Sequence, residues 1–153
     1  MRSVDRHEIA TVEGTHFTGA LALNASKVEH VPLRRDLWGA MLNCPLIVKA
    51  VTILSVQNLA WEIQIRRSAT HTANDPGADA FLARWTFAAT DAVQNDGAGD
   101  YLYYIDGNDQ CYRDDDTSGL LHLVLVNRSA TAKLAGATGN IVVRLNVEPV
   151  SFA

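Results

Sequence analysis

The densest run of hard oxygen donors in the chain is Asp106-Gly107-Asn108-Asp109-Gln110-Cys111-Tyr112-Arg113-Asp114-Asp115-Asp116. Oxygen-rich loops are what a calcium ion requires. Counted from Asp106, the calcium-loop pattern meets Gln110 at its fifth position, Cys111 where it wants Gly and Thr117 where it wants Glu. The flanks read as strands, so a solvated hairpin turn is the expectation, with a calcium ion left open. The histidines are His7, His16, His30, His71 and His122. None forms an H-x-H or H-E-x-x-H pair, so neither a cupin-type metal site nor a zincin is expected. His122 reads as a core histidine bonded to a carbonyl or a Tyr. No Gly-x-Ser-x-Gly turn and no phosphate-cradling glycine loop is present, and Ser118-Gly119 and Ser129-Ala130 read as turns. No catalytic, cofactor-binding or metal-ligating residue is assigned, and an enzyme is not expected. The aromatic group Trp85, Tyr101, Tyr103 and Tyr104 is either a sugar-stacking platform or the core plus edge of a sheet, and core is favoured.

These residues sit on strands. In the run 140–148, Ile141, Val143, Leu145 and Val147 alternate with Val142, Arg144, Asn146 and Glu148, the period of a half-buried strand. The run 120–126 is apolar on both faces except at His122, as an interior strand covered on both sides would be. Further strands are expected at 7–13, ended by Gly14; at 16–23, with a bulge or close approach at Gly19; and at 27–31, ended by Pro32. The first half continues with strands at 46–56 and 61–66, where Trp61, Ile63 and Ile65 alternate with Glu62, Gln64 and Arg66, so that one face alone is buried. A strand at 81–87 and an aromatic one at 101–105 follow, with a turn at 106–109 and a return strand at Cys111-Tyr112. A short helical turn over 34–42 is stopped at Cys44-Pro45. Long loops are expected at 68–79 and 91–100, rich in Gly, Asn and Asp. Eight or nine short strands without a long helix predict an all-β, antiparallel β-sandwich, most simply an eight-stranded jelly roll. An immunoglobulin-like sandwich is the alternative. The division expected is an N-terminal arm over 1–8 and one sandwich domain over 9–153.

The 153 residues are 48% apolar and 20% charged, an ordinary globular composition, with a net charge of −4. That charge, with Arg34-Arg35 and Arg66-Arg67 as the only basic clusters, argues against a nucleic-acid partner. No apolar run approaches the length of a membrane helix, so no membrane partner is expected. The charged N-terminus lacks the apolar core of a signal peptide, which points to synthesis and retention in a cytoplasm. Cys44 and Cys111 read as free buried thiols, with a bridge left open. Without a secretory signal, the sequons Asn24-Ala25-Ser26 and Asn127-Arg128-Ser129 read as chance matches.

The stretches Tyr101-Leu102-Tyr103-Tyr104-Ile105-Asp106, Leu121 to Ala130, Gly136-Ala137-Thr138-Gly139 and Ile141 to Leu145, with Ser55 to Glu62, give the chain a resemblance to tailed-phage virion proteins. The type it resembles is the small jelly-roll decoration (cement) protein that coats capsids. The resemblance is one of style over roughly two thirds of the chain and carries no site residues across. It implies a homotrimer bound to the major capsid protein at three-fold or pseudo-three-fold positions, located on the virion capsid surface after synthesis in the host cytoplasm. The alternatives are another virion part (a coat subunit, or a tail or fibre protein) and a carbohydrate-binding module. The charged arm and the two long loops suit an assembly role.

Overall fold

The computed structural model describes residues 10–17, 20–32, 46–66, 81–94, 100–112, 120–134 and 141–149. Nine strands are found there: β1 (Ala10–Phe17), β2 (Ser26–Pro32), β3 (Leu46–Ser55), β4 (Trp61–Arg66), β5 (Phe81–Phe87), β6 (Val93–Gln94), β7 (Tyr101–Tyr112), β8 (Leu120–Asn127) and β9 (Ile141–Pro149). They form a five-stranded sheet in the order β1-β9-β3-β7-β6 and a four-stranded sheet in the order β2-β8-β4-β5. Every pairing is antiparallel, and the pairs nest: β4 with β5, β3 with β7, β2 with β8 and β1 with β9. A single long hairpin has been folded over onto itself, and that is the eight-stranded jelly roll, with β6 added as a two-residue rim on β7.

The alternating apolar residues meet between the sheets. Val51 and Ile53 of β3, Trp61, Ile63 and Ile65 of β4, Trp85 and Phe87 of β5, Leu123 and Leu125 of β8, and Ile141, Val143 and Leu145 of β9 are all buried in one cluster. Phe87 and Tyr103 pack edge to face across the sandwich, with ring centroids 6.1 Å apart and planes at 84°. On the opposite face of β9, Arg144 is exposed and Val142 and Asn146 are half-buried, so the half-buried strand expected there is found. Residues 123–127 of β8 are buried on both faces, as its apolar run predicts.

Four expectations need correction. Gly14 does not end a strand: β1 runs through it, with a register shift between Glu13 and Thr15. A glycine there lets the chain bulge without leaving the sheet. The separate strand expected at 16–23 is therefore the end of β1, followed by an isolated bridge between Leu21 and Lys133. Residues 106–109 are not a turn either. β7 continues to Tyr112, pairing Gln110 with Val48 and Tyr112 with Leu46. The register shift between Val48 and Ala50 sets three residues of β7, 107–109, against Lys49 alone. This wide bulge absorbs the turn-forming residues: Asn108 takes φ 53°, and its N–H donates to Asp106 Oδ1 at 2.7 Å. Finally, β4 is not exposed on one face, since all six of its residues are buried. Between β5 and β6 the chain makes a 3-10 turn at Ala89–Asp91, where Asp91 Oδ2 accepts from the Ala88 N–H at 2.7 Å. The expected arm at 1–8, the helical turn at 34–42, Cys44, Gly19 and the loop at 68–79 lie outside the described residues.

The bulge depends on Gly107. A Cβ at that position would stand 2.1 Å from the Val48 carbonyl oxygen and 2.6 Å from its carbon, a backbone clash that no rotamer change relieves. Gly107→Ala is expected to lower stability by about 1–3 kcal/mol, the usual cost of overpacking. Denaturant unfolding of the variant against the native chain measures it.

Candidate functional site

β4 carries an unusual outward face. Because side chains alternate, Trp61, Ile63 and Ile65 enter the core while Glu62, Gln64 and Arg66 point away from it. All three polar residues are nonetheless buried. On the neighbouring β8, Val124 and Val126 are buried on the same outer side, so the middle of the four-stranded sheet is withdrawn from water there too. Polar groups so placed must satisfy one another. Gln64 Nε2 donates to Glu62 Oε1, and Arg66 Nε donates to Gln64 Oε1 at 2.9 Å. The second carboxylate oxygen, Glu62 Oε2, accepts from Arg128 Nε at 2.8 Å. Arg128 then reaches on with Nη1 to Asn24 Oδ1 at 2.7 Å.

Burial pushes the Glu62 carboxyl up. The bonds from Arg128 and Gln64 and the positive charges of Arg128 and Arg84 outweigh it, so its pKa lies below the ordinary carboxylate value. Arg84 stands opposite Gln64 on β5, which explains its reach. The arrangement holds a fixed, ionised carboxylate between cations, and its bonding is that of a clasp.

The clasp closes one end of the sandwich. Asn127 is fully buried and uses every polar atom of its side chain: Nδ2 donates to Leu21 O at 2.9 Å and to Thr131 O at 3.0 Å, and Oδ1 accepts from the Ser129 N–H at 2.9 Å. The Arg128 N–H donates to Ala60 O at 2.9 Å, and Leu21 and Lys133 exchange backbone bonds. At the same end, the Tyr103 hydroxyl accepts from the Leu59 N–H at 3.0 Å and lies 2.9 Å from both Leu59 O and Asn58 Oδ1, either of which its proton can serve. Burial pushes the Tyr103 phenol above its usual value, against the Leu59 bond. Three connections, 20–25, 56–60 and 128–134, are thereby tied to one another. Both sequons lie here. The Asn127 amide is buried and fully engaged, which closes it to glycosylation in the folded chain, while Asn24 is exposed, has φ 58° and is held by Arg128.

The other candidates are dispersed. Asp106 is exposed on β7, and no group of three or more His, Cys, Asp or Glu able to hold a metal ion occurs among the described residues. Trp85 and Tyr103 are core residues, Tyr101 is half-buried and Tyr104 is 65% exposed, so the aromatic group does not form one platform. His16 stands opposite Val142, and His30 stands opposite His122, which is flanked on its other side by Arg66. That last juxtaposition comes from strand order and has no signature in local spacing. His7 and His71 lie outside the described residues, and Cys111 holds the position opposite Ile47.

No family model matches the chain, and no curated protein matches it. Among solved structures it is similar to a chain in the X-ray structure of tomato aspermy virus, with 11% identity, a TM-score of 0.42, and coverage of 100% of this chain and 90% of that one.

Two consequences are testable. Glu62→Gln leaves Arg128 without its counter-charge and is expected to cost about 1–3 kcal/mol at neutral pH. A carboxylate whose folded pKa is depressed stabilises the fold above its unfolded pKa, and that share is lost as pH falls through the folded value. Native stability should therefore decline on acidification below the ordinary carboxylate range, and E62Q should flatten that decline when unfolding is followed across pH. Tyr103→Phe strands the buried Leu59 N–H and is expected to cost about 1–3 kcal/mol, read by denaturant unfolding.

Proposed function

We propose that this chain is a non-enzymatic structural component of a virion: a decoration protein that binds the major capsid protein of a tailed phage and stabilises the shell as a homotrimer. The observation that carries the reading is the nested order of eight strands, an architecture that viral capsid proteins share with lectins and cupins. A fold alone does not assign a function. The interior narrows the choice, because the space between the sheets is filled by Trp61, Trp85, Phe87, Tyr103 and the aliphatic residues around them. A core packed in this way leaves recognition to the outside of the molecule. The sequence resemblance to decoration proteins supplies the finer reading, including the trimer and the location on the capsid surface after synthesis in the host cytoplasm. Nucleic acid and membrane are not among the partners proposed.

A carbohydrate-binding module is the second reading, favoured by one observation: Tyr104 is 65% exposed on the outer face of a sheet, where a ring can stack on a sugar.

Light scattering on the purified protein separates these readings. A stable species at three times 16.6 kDa is the expected result. A closed particle of far higher mass would make the chain a coat subunit, and a monomer that binds a glycan array would make it a carbohydrate module. Deleting residues 1–8 is expected to abolish binding to capsids while leaving the unfolding midpoint unchanged; capsid binding that survives the deletion would remove the arm from the proposal.

A further inference from the structure

We infer that the clasped end of the sandwich is where copies of this chain meet, around the three-fold axis of the trimer; the number of copies rests on the trimer reading. Five large hydrophobic residues are exposed among the described residues, and three of them, Leu23, Val56 and Leu134, stand on the connections that the clasp ties together. Ala22, Ala130 and Ala132 are exposed on the same connections. The three connections are also bonded to one another. The Leu134 N–H donates to Gln57 Oε1 at 2.8 Å, next to Val56, and the Asn24 N–H, next to Leu23, donates to Asn127 O at 2.7 Å. Two of the apolar residues are carried by closed turns. The Ala25 N–H donates to Ala22 O at 3.0 Å with Leu23 between them, and the Gln57 N–H donates to Ser55 Oγ at 3.1 Å across Val56. Apolar side chains gathered on a bonded support mark an interaction surface, because little freedom is lost when a partner settles on it.

Charge and chain direction identify the occupant. No exposed residue of 20–25, 56–60 or 128–134 is charged: Lys133 is buried, and Arg128 is half-buried and bonded to Glu62. The exposed Asp91 belongs to a fourth connection, 88–94, which joins the edge strands β5 and β6 at the flank of this end. Side chains on a rotation axis meet their own copies, so a charge there faces its like and an apolar group does not. A chain of net charge −4 approaches itself at these three connections without that repulsion. The proposed capsid contact lies at the other end. The arm over 1–8 enters the sandwich at Ala10, which pairs with Val147, whereas Phe17 and Ile141 pair at the clasped end, roughly 20–25 Å away along β1. Copies joined at their clasped ends therefore leave their arms to the shell.

The test is light scattering on Leu23→Glu and Leu134→Glu, with Tyr104→Glu, exposed on the outer face of the five-stranded sheet, as the control. The native mass, three times 16.6 kDa, is expected to fall threefold in L23E and L134E and to stay unchanged in Y104E. Circular dichroism shows whether each variant keeps its strands. If a Glu variant does not, Leu23→Ser and Leu134→Ser remove the apolar group without adding a charge, and their trimers are expected to dissociate on dilution where the native one does not. A native trimer that no variant at this end dissociates, or that Y104E dissociates equally, would overturn the inference and leave the trimer reading in place. Variants that stay trimeric but no longer bind capsids would overturn it too, by giving this end to the shell. Failure of the trimer reading shows differently, as a native species of another size that L23E and L134E still dissociate. A native monomer overturns both.

Discussion

The burial of β4 on both faces is the constraint on which this molecule turns. An interior strand in a sandwich presents apolar residues to the core and leaves its other side to water, yet here the outer side holds a carboxylate, an amide and a guanidinium that water does not reach. Groups in that position are expensive unless each finds a partner. The partners are arranged in a directed series: Arg66 donates to Gln64, Gln64 donates to Glu62, and Arg128 donates to Glu62 from the other side. The series ends on one carboxylate. Arg128 is consequently fixed, and with it the connection that follows β8 and, through Asn24, the one that precedes β2. A polar series of this kind specifies geometry more than it adds stability.

The two sheets are also joined by side-chain bonds that run directly between them. Trp85 on β5 donates its indole N–H to Gly107 O on β7 at 3.3 Å, and Tyr103 on β7 grips the β3–β4 connection through Leu59. The acceptor in the first bond belongs to the bulge where three residues of β7 face one of β3. The irregularity thus turns a carbonyl away from the sheet ladder and toward the facing sheet. The same glycine that permits close approach to Val48 supplies the acceptor for the tryptophan.

Much of the fold is legible in residue order, and the places where it is not have physical causes. Period-two alternation locates β4, β5 and β9 and identifies their core-facing residues, because burial between sheets selects apolar side chains at alternate positions, while an unbroken apolar run locates β8. The polar alternation of Glu62, Gln64 and Arg66 misleads for the same reason: polarity signals water only when no side-chain network takes its place. Gly14 and the 106–109 segment carry turn chemistry, but bulges use the same residues as turns, and only the pairing partner separates the two. The clasp has no local signature at all. Asn24, Glu62 and Arg128 are far apart in the chain and are brought together by strand order.

The nested strand order also has a consequence for how the molecule comes into being. β9 is the last described strand, yet it lies inside its sheet, hydrogen-bonded to β1 on one side and β3 on the other. During synthesis, β1 and β3 emerge long before the strand that must separate them. Until residue 149 clears the ribosome, two bare edges stand ready to pair with each other or with a neighbouring nascent chain. Completion of this fold is therefore a late and long-range event, and the growing chain needs shelter for most of its length.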